Sequence, residues 1–137
     1  MVTTGSNRRA GRILIVDDEE PIRSMLKDGL SRAGYDVETA ASGPEALERF
    51  QVGRYAVVLT DLIMPAMTGW ELSARLRSAD PGLPIVILSA YGVTLEDEAA
   101  RRRVLLVHKP AKLEVVVSAI GKALATGSAQ PEAWTLS

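Results

Sequence analysis

Four short apolar runs punctuate the chain: Ile13 to Val16, Val57 to Leu59, Ile85 to Leu88 and Val104 to Val107. They are rich in β-branched residues and do not alternate with polar ones, the pattern of strands buried on both faces of a parallel sheet. Tyr35 to Ala40 differs, because Tyr35, Val37 and Thr39 alternate with Asp36 and Glu38, which predicts an edge strand. Between the strands the period becomes helical. Over Pro21 to Ala33 a single stripe carries Ile22, Met25, Leu26, Leu30 and Ala33, with Gly34 as the stop. Ser42-Gly43-Pro44-Glu45 and Thr68-Gly69-Trp70-Glu71 both have the Ser/Thr-x-x-Glu form of a capping box, so helices are expected to begin there. Thr94-Leu95-Glu96-Asp97 is a weaker start. A last helix is predicted from Leu113 to about Ala125, with Leu113, Val116, Val117, Ile120 and Leu124 at helical spacing.

The order is strand then helix, repeated along the chain. Right-handed crossovers place the helices on both faces of a parallel sheet, so the predicted fold class is α/β, doubly wound. With the edge strand second in sequence, the expected spatial order is 2-1-3-4-5, and ligands in such sheets bind beyond the carboxyl ends of the strands, at the switch point between strands 1 and 3.

A length of 137 residues sets the expectation of one domain, read here as a leader over residues 1–11, a domain over 12–126 and a polar tail over 127–137. Sixteen basic side chains against 17 acidic ones give a net charge of -1, which supplies no global pull toward nucleic acid or an anionic membrane. The absence of cysteine removes disulfides, thiolate metal sites and thiol nucleophiles, and the single His108 removes multi-histidine sites. Arg8-Arg9 precede an apolar run at twin-arginine distance, but that run stops after four residues at Asp17-Asp18-Glu19-Glu20. A secretory core needs about 7 to 15 apolar residues, so a cytoplasmic protein is expected.

The residues that follow the central runs carry the chemistry: Asp17 and Asp18 after strand 1, Asp61 after Leu59-Thr60, Ser89 after strand 4, and His108-Lys109 after strand 5. Carboxylates gathered without enough cations repel, so three of them make sense around a hard cation, and an oxygen-only site suits Mg²⁺ or Mn²⁺. A lysine at the same rim can hold a phosphate oxygen as a mobile point charge, and a serine hydroxyl can donate to another. Phosphoryl transfer needs mostly this positioning and charge neutralisation. Neither G-x-x-x-x-G-K-[ST] nor G-x-G-x-x-G occurs, so the phosphoryl group must come from a donor other than a cradled nucleotide, with a carboxylate as acceptor.

Taken in order, Ile13-Leu14-Ile15-Val16-Asp17-Asp18-Glu19, Asp61-Leu62-Ile63-Met64-Pro65-Ala66-Met67-Thr68-Gly69, Leu88-Ser89-Ala90 and Lys109-Pro110 resemble the receiver domain of two-component response regulators, over about residues 12 to 126. The resemblance implies a flavodoxin-like version of the five-stranded sheet. It implies that Asp61 is the phospho-acceptor, Ser89 the switch hydroxyl and Lys109 the phosphate-binding lysine. It implies a Mg²⁺ site in which Asp18 and Asp61 bind directly, Asp17 acts through water and the backbone carbonyl of Ile63 completes the protein ligands. The Lys109-Pro110 bond is expected to be cis. The implied donor is a histidine kinase or histidine phosphotransfer protein, and the implied output is contact with a downstream protein target. No turnover enzyme, nucleic-acid-binding domain or membrane attachment is expected, and the chain reads as a stand-alone monomer or weak dimer. Ile63 and Tyr91 match positions that gate the water attacking the aspartyl phosphate. Neither can orient that water, so slow loss of the phosphoryl group is expected.

Two departures from the family pattern stand out. The position three residues before the lysine, commonly Tyr or Phe, is Leu106, so the aromatic half of the switch is missing and a small response is expected on the face formed by helix 4, strand 5 and helix 5. The stretch from Ser89 to Lys109 is about two residues short and lacks the usual Gly-Ala turn, so helix 4 is expected to be short or irregular. Arg101-Arg102-Arg103 adjoin Glu96, Asp97 and Glu98 and read as a solvated face rather than a nucleic-acid site. His108 reads as a strand-end residue. Trp70, Met64 and Met67 are expected to pack around the loop after strand 3, and Trp134 lies in the tail.

Other functions fit less well. A phosphorylation-independent scaffold would tolerate Leu106 but would not need Asp17, Asp18, Asp61, Ser89 and Lys109 together. A Mg²⁺-dependent aspartyl phosphatase resembling the haloacid dehalogenases would carry D-x-D after strand 1, which Asp17-Asp18-Glu19 does not supply. A flavin carrier would need a Ser/Thr/Gly-rich loop where this chain is acidic.

Overall fold

The computed structural model describes residues 11–89 and 95–126. The leader, Ala90, Tyr91, Thr94 and the tail with Trp134 lie outside the described residues. The elements alternate: β1 (Arg12–Val16), α1 (Glu20–Arg32), β2 (Asp36–Ala40), α2 (Gly43–Arg49), β3 (Val57–Asp61), α3 (Gly69–Ala79), β4 (Ile85–Ser89), α4 (Glu96–Arg102), β5 (Leu105–His108) and α5 (Leu113–Thr126). The strands form one parallel sheet in the order β2-β1-β3-β4-β5, the predicted order.

Alternation of side chains along each strand divides the core in two. Ile13, Ile15, Val57, Leu59, Val86, Leu88, Leu105 and Val107 pack with Leu26 and Leu30 of α1 and Val116, Ala119, Ile120 and Ala123 of α5. Leu14, Val16, Val58, Ile85, Ile87 and Leu106 face the other way, onto Ala46 of α2, Leu72 and Leu76 of α3 and Ala99 of α4. The central strands are buried on both faces, which is why their sequences run apolar without a break. β2 sits at the edge with Val37 buried and Asp36 exposed.

Both capping boxes form helix starts. Ser42 Oγ accepts the Glu45 N–H at 3.1 Å, and Thr68 Oγ1 accepts the Glu71 N–H at 3.1 Å. The Glu45 carboxylate reaches one residue further back than the motif requires, taking the Ala41 N–H at 2.8 Å. α4 has seven residues, no side-chain N-cap at Leu95, and a C-cap at Arg103 in the left-handed region (φ 56°, ψ 46°). The short, irregular helix 4 expected from the missing Gly-Ala turn is therefore present, with an arginine holding the conformation glycine would adopt without strain. Its carboxyl end is tied down by Arg77, whose guanidinium donates to the carbonyls of Leu83 (2.6 Å), Arg102 (3.0 Å) and Arg103 (2.7 Å).

The arginine run divides. Arg101 stays on a solvated face, paired with Glu98. Arg102 does not: while also paired with Glu98, it lies over the Trp70 ring, 5.1 Å from the centroid. A guanidinium over an indole is attracted by the ring's negative face, and that draws it inward. Among the described residues, no helix is long and apolar enough to cross a membrane.

Candidate functional site

The carboxyl edge of the sheet is where the predicted residues meet. Asp61, Ser89 and His108 were expected just past their strands; they are instead the last residues of β3, β4 and β5, held by the ladders Asp61↔Leu88 and Ser89↔His108. Placement in the ladder fixes these side chains more firmly than a loop would.

Asp17, directly after β1, is buried, and its Oδ1 accepts the Glu19 N–H at 2.9 Å, an Asx-type turn that leads the chain into α1. Arg23 of α1 closes the same loop by donating to the Asp17 carbonyl at 2.7 Å. Asp18 is exposed beside it. Asp61 is buried, with Oδ1 accepting the Leu62 N–H at 3.0 Å and lying 2.9 Å from Lys109 Nζ. The loop after Asp61 turns back so tightly that a Cβ on Gly69 would stand 2.6 Å from the Asp61 carbonyl oxygen, and the Gly69 N–H donates to Leu62 O at 2.7 Å. Only glycine fits there. Met64 and Met67 are buried under this loop. Lys109 is placed by its own N–H, which donates to Ser89 O at 3.1 Å, and its bond to Pro110 is cis.

One ligand oxygen from each of Asp17, Asp18 and Asp61 lies within 4.8 Å of the others. Burial, first, pushes the Asp17 carboxyl above its ordinary value; the Asp61 charge adds to this, and the Glu19 N–H and the Lys109 charge offset it only in part. Burial acts to lower the Lys109 ammonium, yet its hydrogen bond to Asp61 and the charges of Asp61, Asp17 and Glu19 outweigh that and hold it above its ordinary value. One ammonium thus serves a site of three carboxylates. Asp17 Oδ2 is buried with no hydrogen-bond partner among the described residues. A buried, unsatisfied carboxylate oxygen facing two other carboxylates fits a hard divalent cation, for which oxygen donors alone suffice.

His108 has a larger place than a strand end: its Nδ1 lies 3.0 Å from Ser89 Oγ and its Nε2 2.7 Å from Glu96 Oε2. The signal in the sequence was only its place at a strand end; the Ser89 contact follows from the β4–β5 register, Ser89↔His108. Glu96 carried no such signal. Ile63, two residues past Asp61, is 63% exposed, an apolar side chain at the mouth of the site.

The response regulator receiver domain family matches residues 13–121, and the chain belongs to that family. It is 35% identical over 115 residues to the response regulator receiver protein CpdR of Brucella abortus, covering 82% of this chain and 96% of that protein. It is 32% identical over 118 residues to the DNA-binding transcriptional regulator NtrC of a Bradyrhizobium strain, where the match spans 85% of this chain but only 25% of the relative. Among solved structures, the chemotaxis response regulator CheY4 of Vibrio cholerae superposes with a TM-score of 0.73 at 34% identity, covering 82% of this chain and 98% of that one. Receiver domains bind Mg²⁺ at an acidic pocket, and the Asp17, Asp18 and Asp61 cluster of this chain is one that could hold a metal ion.

Proposed function

We propose that this protein is the phospho-acceptor of a histidine-aspartate phosphorelay, and that Asp61 takes the phosphoryl group. The observation that carries the reading is the pairing of Lys109 with Asp61 beside the orphaned Oδ2 of buried Asp17. A phosphorylation-independent scaffold has no use for a buried carboxylate with one oxygen left unpartnered and its charge only partly offset, because such a group costs stability.

In the transfer, an oxygen of the Asp61 carboxylate attacks phosphorus, a P–O bond forms, and the P–N bond of the donor's phosphohistidine breaks with its electron pair passing to the ring nitrogen. Asp18 and Asp61 would hold Mg²⁺ directly, with Asp17 through water and the Ile63 carbonyl completing the set. Bound there, the cation neutralises carboxylate and phosphoryl charge that would otherwise repel. Lys109 already touches Asp61 and is the cation that can follow the charge onto a phosphoryl oxygen. Ser89 supplies a hydroxyl donor at the end of the neighbouring strand, and Asp17 keeps the acidic loop in register through the Glu19 N–H.

The donor is a histidine kinase or phosphotransfer protein. A cleft of about 390 Å³, lined by Ile22, Met25, Leu26, Ala111 and Val116, opens with Lys109 on its rim. Met25 is 49% exposed there. An apolar groove of this kind suits the apolar face of a partner helix, which would bring a phosphohistidine to the edge of the site. Output is contact with a downstream protein from the domain over residues 12–126.

The test is transfer from autophosphorylated histidine kinases to the wild-type chain and to Asp61→Asn. Label should move from kinase to wild type and not to the variant. Equal labelling of both removes Asp61 from the role.

A further inference from the structure

Ser89 and His108 are register partners on β4 and β5. Both lie on the sheet face that carries α2 to α4, since Ile87 and Leu106, two residues before each, belong to that core. Their side chains therefore stand side by side, and the imidazole continues to Glu96, the first residue of α4. Two hydrogen bonds run without a break from the hydroxyl at the phosphoryl site to the start of a helix.

The direction of the protons follows from the donor inventory. The hydrogen bond from His108 holds the Glu96 carboxyl below its ordinary value, so it is an ionised acceptor. Nε2 must carry the hydrogen facing it, and in the neutral ring Nδ1 is then an acceptor. With the ring neutral, the Ser89 hydroxyl, with one proton, donates it to Nδ1 of His108.

We propose that His108 is a positioning residue for Ser89, and that the Ser89–His108–Glu96 chain couples arrival of a phosphoryl group on Asp61 to the start of α4. The proposal rests on the reading of Asp61 as acceptor. A hydroxyl that turns its only proton to a phosphoryl oxygen gives up Nδ1, and the ring loses the partner that fixes it. Glu96 then loses its anchor. The helix is built to respond at that end: Leu95 offers no side-chain cap, and Glu96 Oε1 is buried without a hydrogen-bond partner among the described residues. The other end stays put, because Arg77 holds the carbonyls of Arg102 and Arg103. Leu106, where the family commonly carries its aromatic reporter, is fully buried and has no polar atom. On the same face, two residues nearer the site, His108 offers a polar ring that reports to α4.

Two arms test this on the full chain. The first needs no phosphorylation: ¹⁵N spectra of the His108 ring should show the Nε2–H tautomer with Nδ1 accepting a hydrogen bond, Ser89→Ala should move the Nδ1 resonance to that of a nitrogen without a donor, and Ser89→Thr should restore it. A ring indifferent to Ser89→Ala overturns the relay. In the second arm, acetyl phosphate with Mg²⁺ should make amide exchange over Glu96–Arg102 several-fold faster in wild type. In His108→Val, and in Glu96→Ala as a variant at a half-buried position outside the apolar core, exchange should be fast beforehand and unchanged by phosphorylation, while Asp61 is still labelled. A response in these variants equal to wild type overturns the coupling. A wild type that takes no label at Asp61 overturns the receiver reading and the coupling with it, and is told apart because the ring arm is read without phosphate.

Discussion

The Lys109 ammonium stands 2.9 Å from Oδ1 of Asp61, joining the end of β5 to the end of β3 across the sheet. Asp61 is nearly buried, so this ion pair is not the solvent-screened kind that contributes little. Lys109→Met removes the partner and leaves the carboxylate beside Asp17 uncompensated. We expect a loss of about 1–3 kcal/mol in metal-free urea unfolding and much slower labelling by acetyl phosphate. A variant as stable and as reactive as wild type would separate Lys109 from the site.

Asp17 gives the opposite sign. Its folded pKa is raised by burial and by Asp61, so the ionised native state is strained above that pKa and relieved as pH falls through it. Without metal, Asp17→Asn should melt higher than wild type at pH 7, and the gap should close as the pH is lowered toward the unfolded carboxyl's 3.8. Mg²⁺ should raise the wild-type melting temperature far more than the variant's, by linkage. Equal Mg²⁺ responses in thermal melts would take Asp17 out of the metal site.

Arg103 occupies the left-handed region at the end of α4, where an L-residue costs about 1–2 kcal/mol. Its side chain is exposed, so Arg103→Gly relieves the backbone without opening the core. Part of the gain is returned through the freer unfolded chain, and a net stabilisation of about 0.5–1 kcal/mol is expected in denaturant titration. A destabilised variant would mean that the arginine side chain carries more than its backbone conformation costs.

Arg77 is the counterpart at the same corner. Burial, with the nearby Arg103 charge, pushes its guanidinium down to about 10, and three carbonyls hold it. Arg77→Met strips those carbonyls of their donor, and a loss of about 2–4 kcal/mol is expected. Amide exchange should rise at Val104 and through α4 before it rises in β1.

Much of this was legible in the sequence because the physics involved is local or periodic. Strands buried on both faces must be apolar throughout, which marked β1, β3, β4 and β5. The Ser42 and Thr68 caps announced α2 and α3, and polar residues closing four strands announced the site. Contacts that depend on register or on backbone acceptors were not legible. The Ser89–His108 bond needs the β4–β5 ladder, the Glu96 contact needs the path of the chain after Ser89, and the three partners of Arg77 are carbonyls that any residue could supply. The two-residue shortfall before β5 was visible, but not that Arg103 would take the left-handed position.

Ile63 bears on how long a phosphoryl group would stay. It stands two residues past Asp61, largely exposed, with no amide or carboxylate to orient an attacking water. Ile63→Asn supplies one, and faster loss of phosphate from the labelled protein is expected, followed by release of inorganic phosphate. An unchanged or slower rate would show that this side chain does not gate water.

The central claim is that Asp61 is the phospho-acceptor of a metal-assisted site, and intact-protein mass spectrometry tests it most directly. With acetyl phosphate and Mg²⁺, the account predicts one added phosphoryl group, mapped to Asp61, absent when Mg²⁺ is chelated and absent in Asp61→Asn. A folded wild type that takes no phosphoryl group, or takes it at another residue, would contradict it.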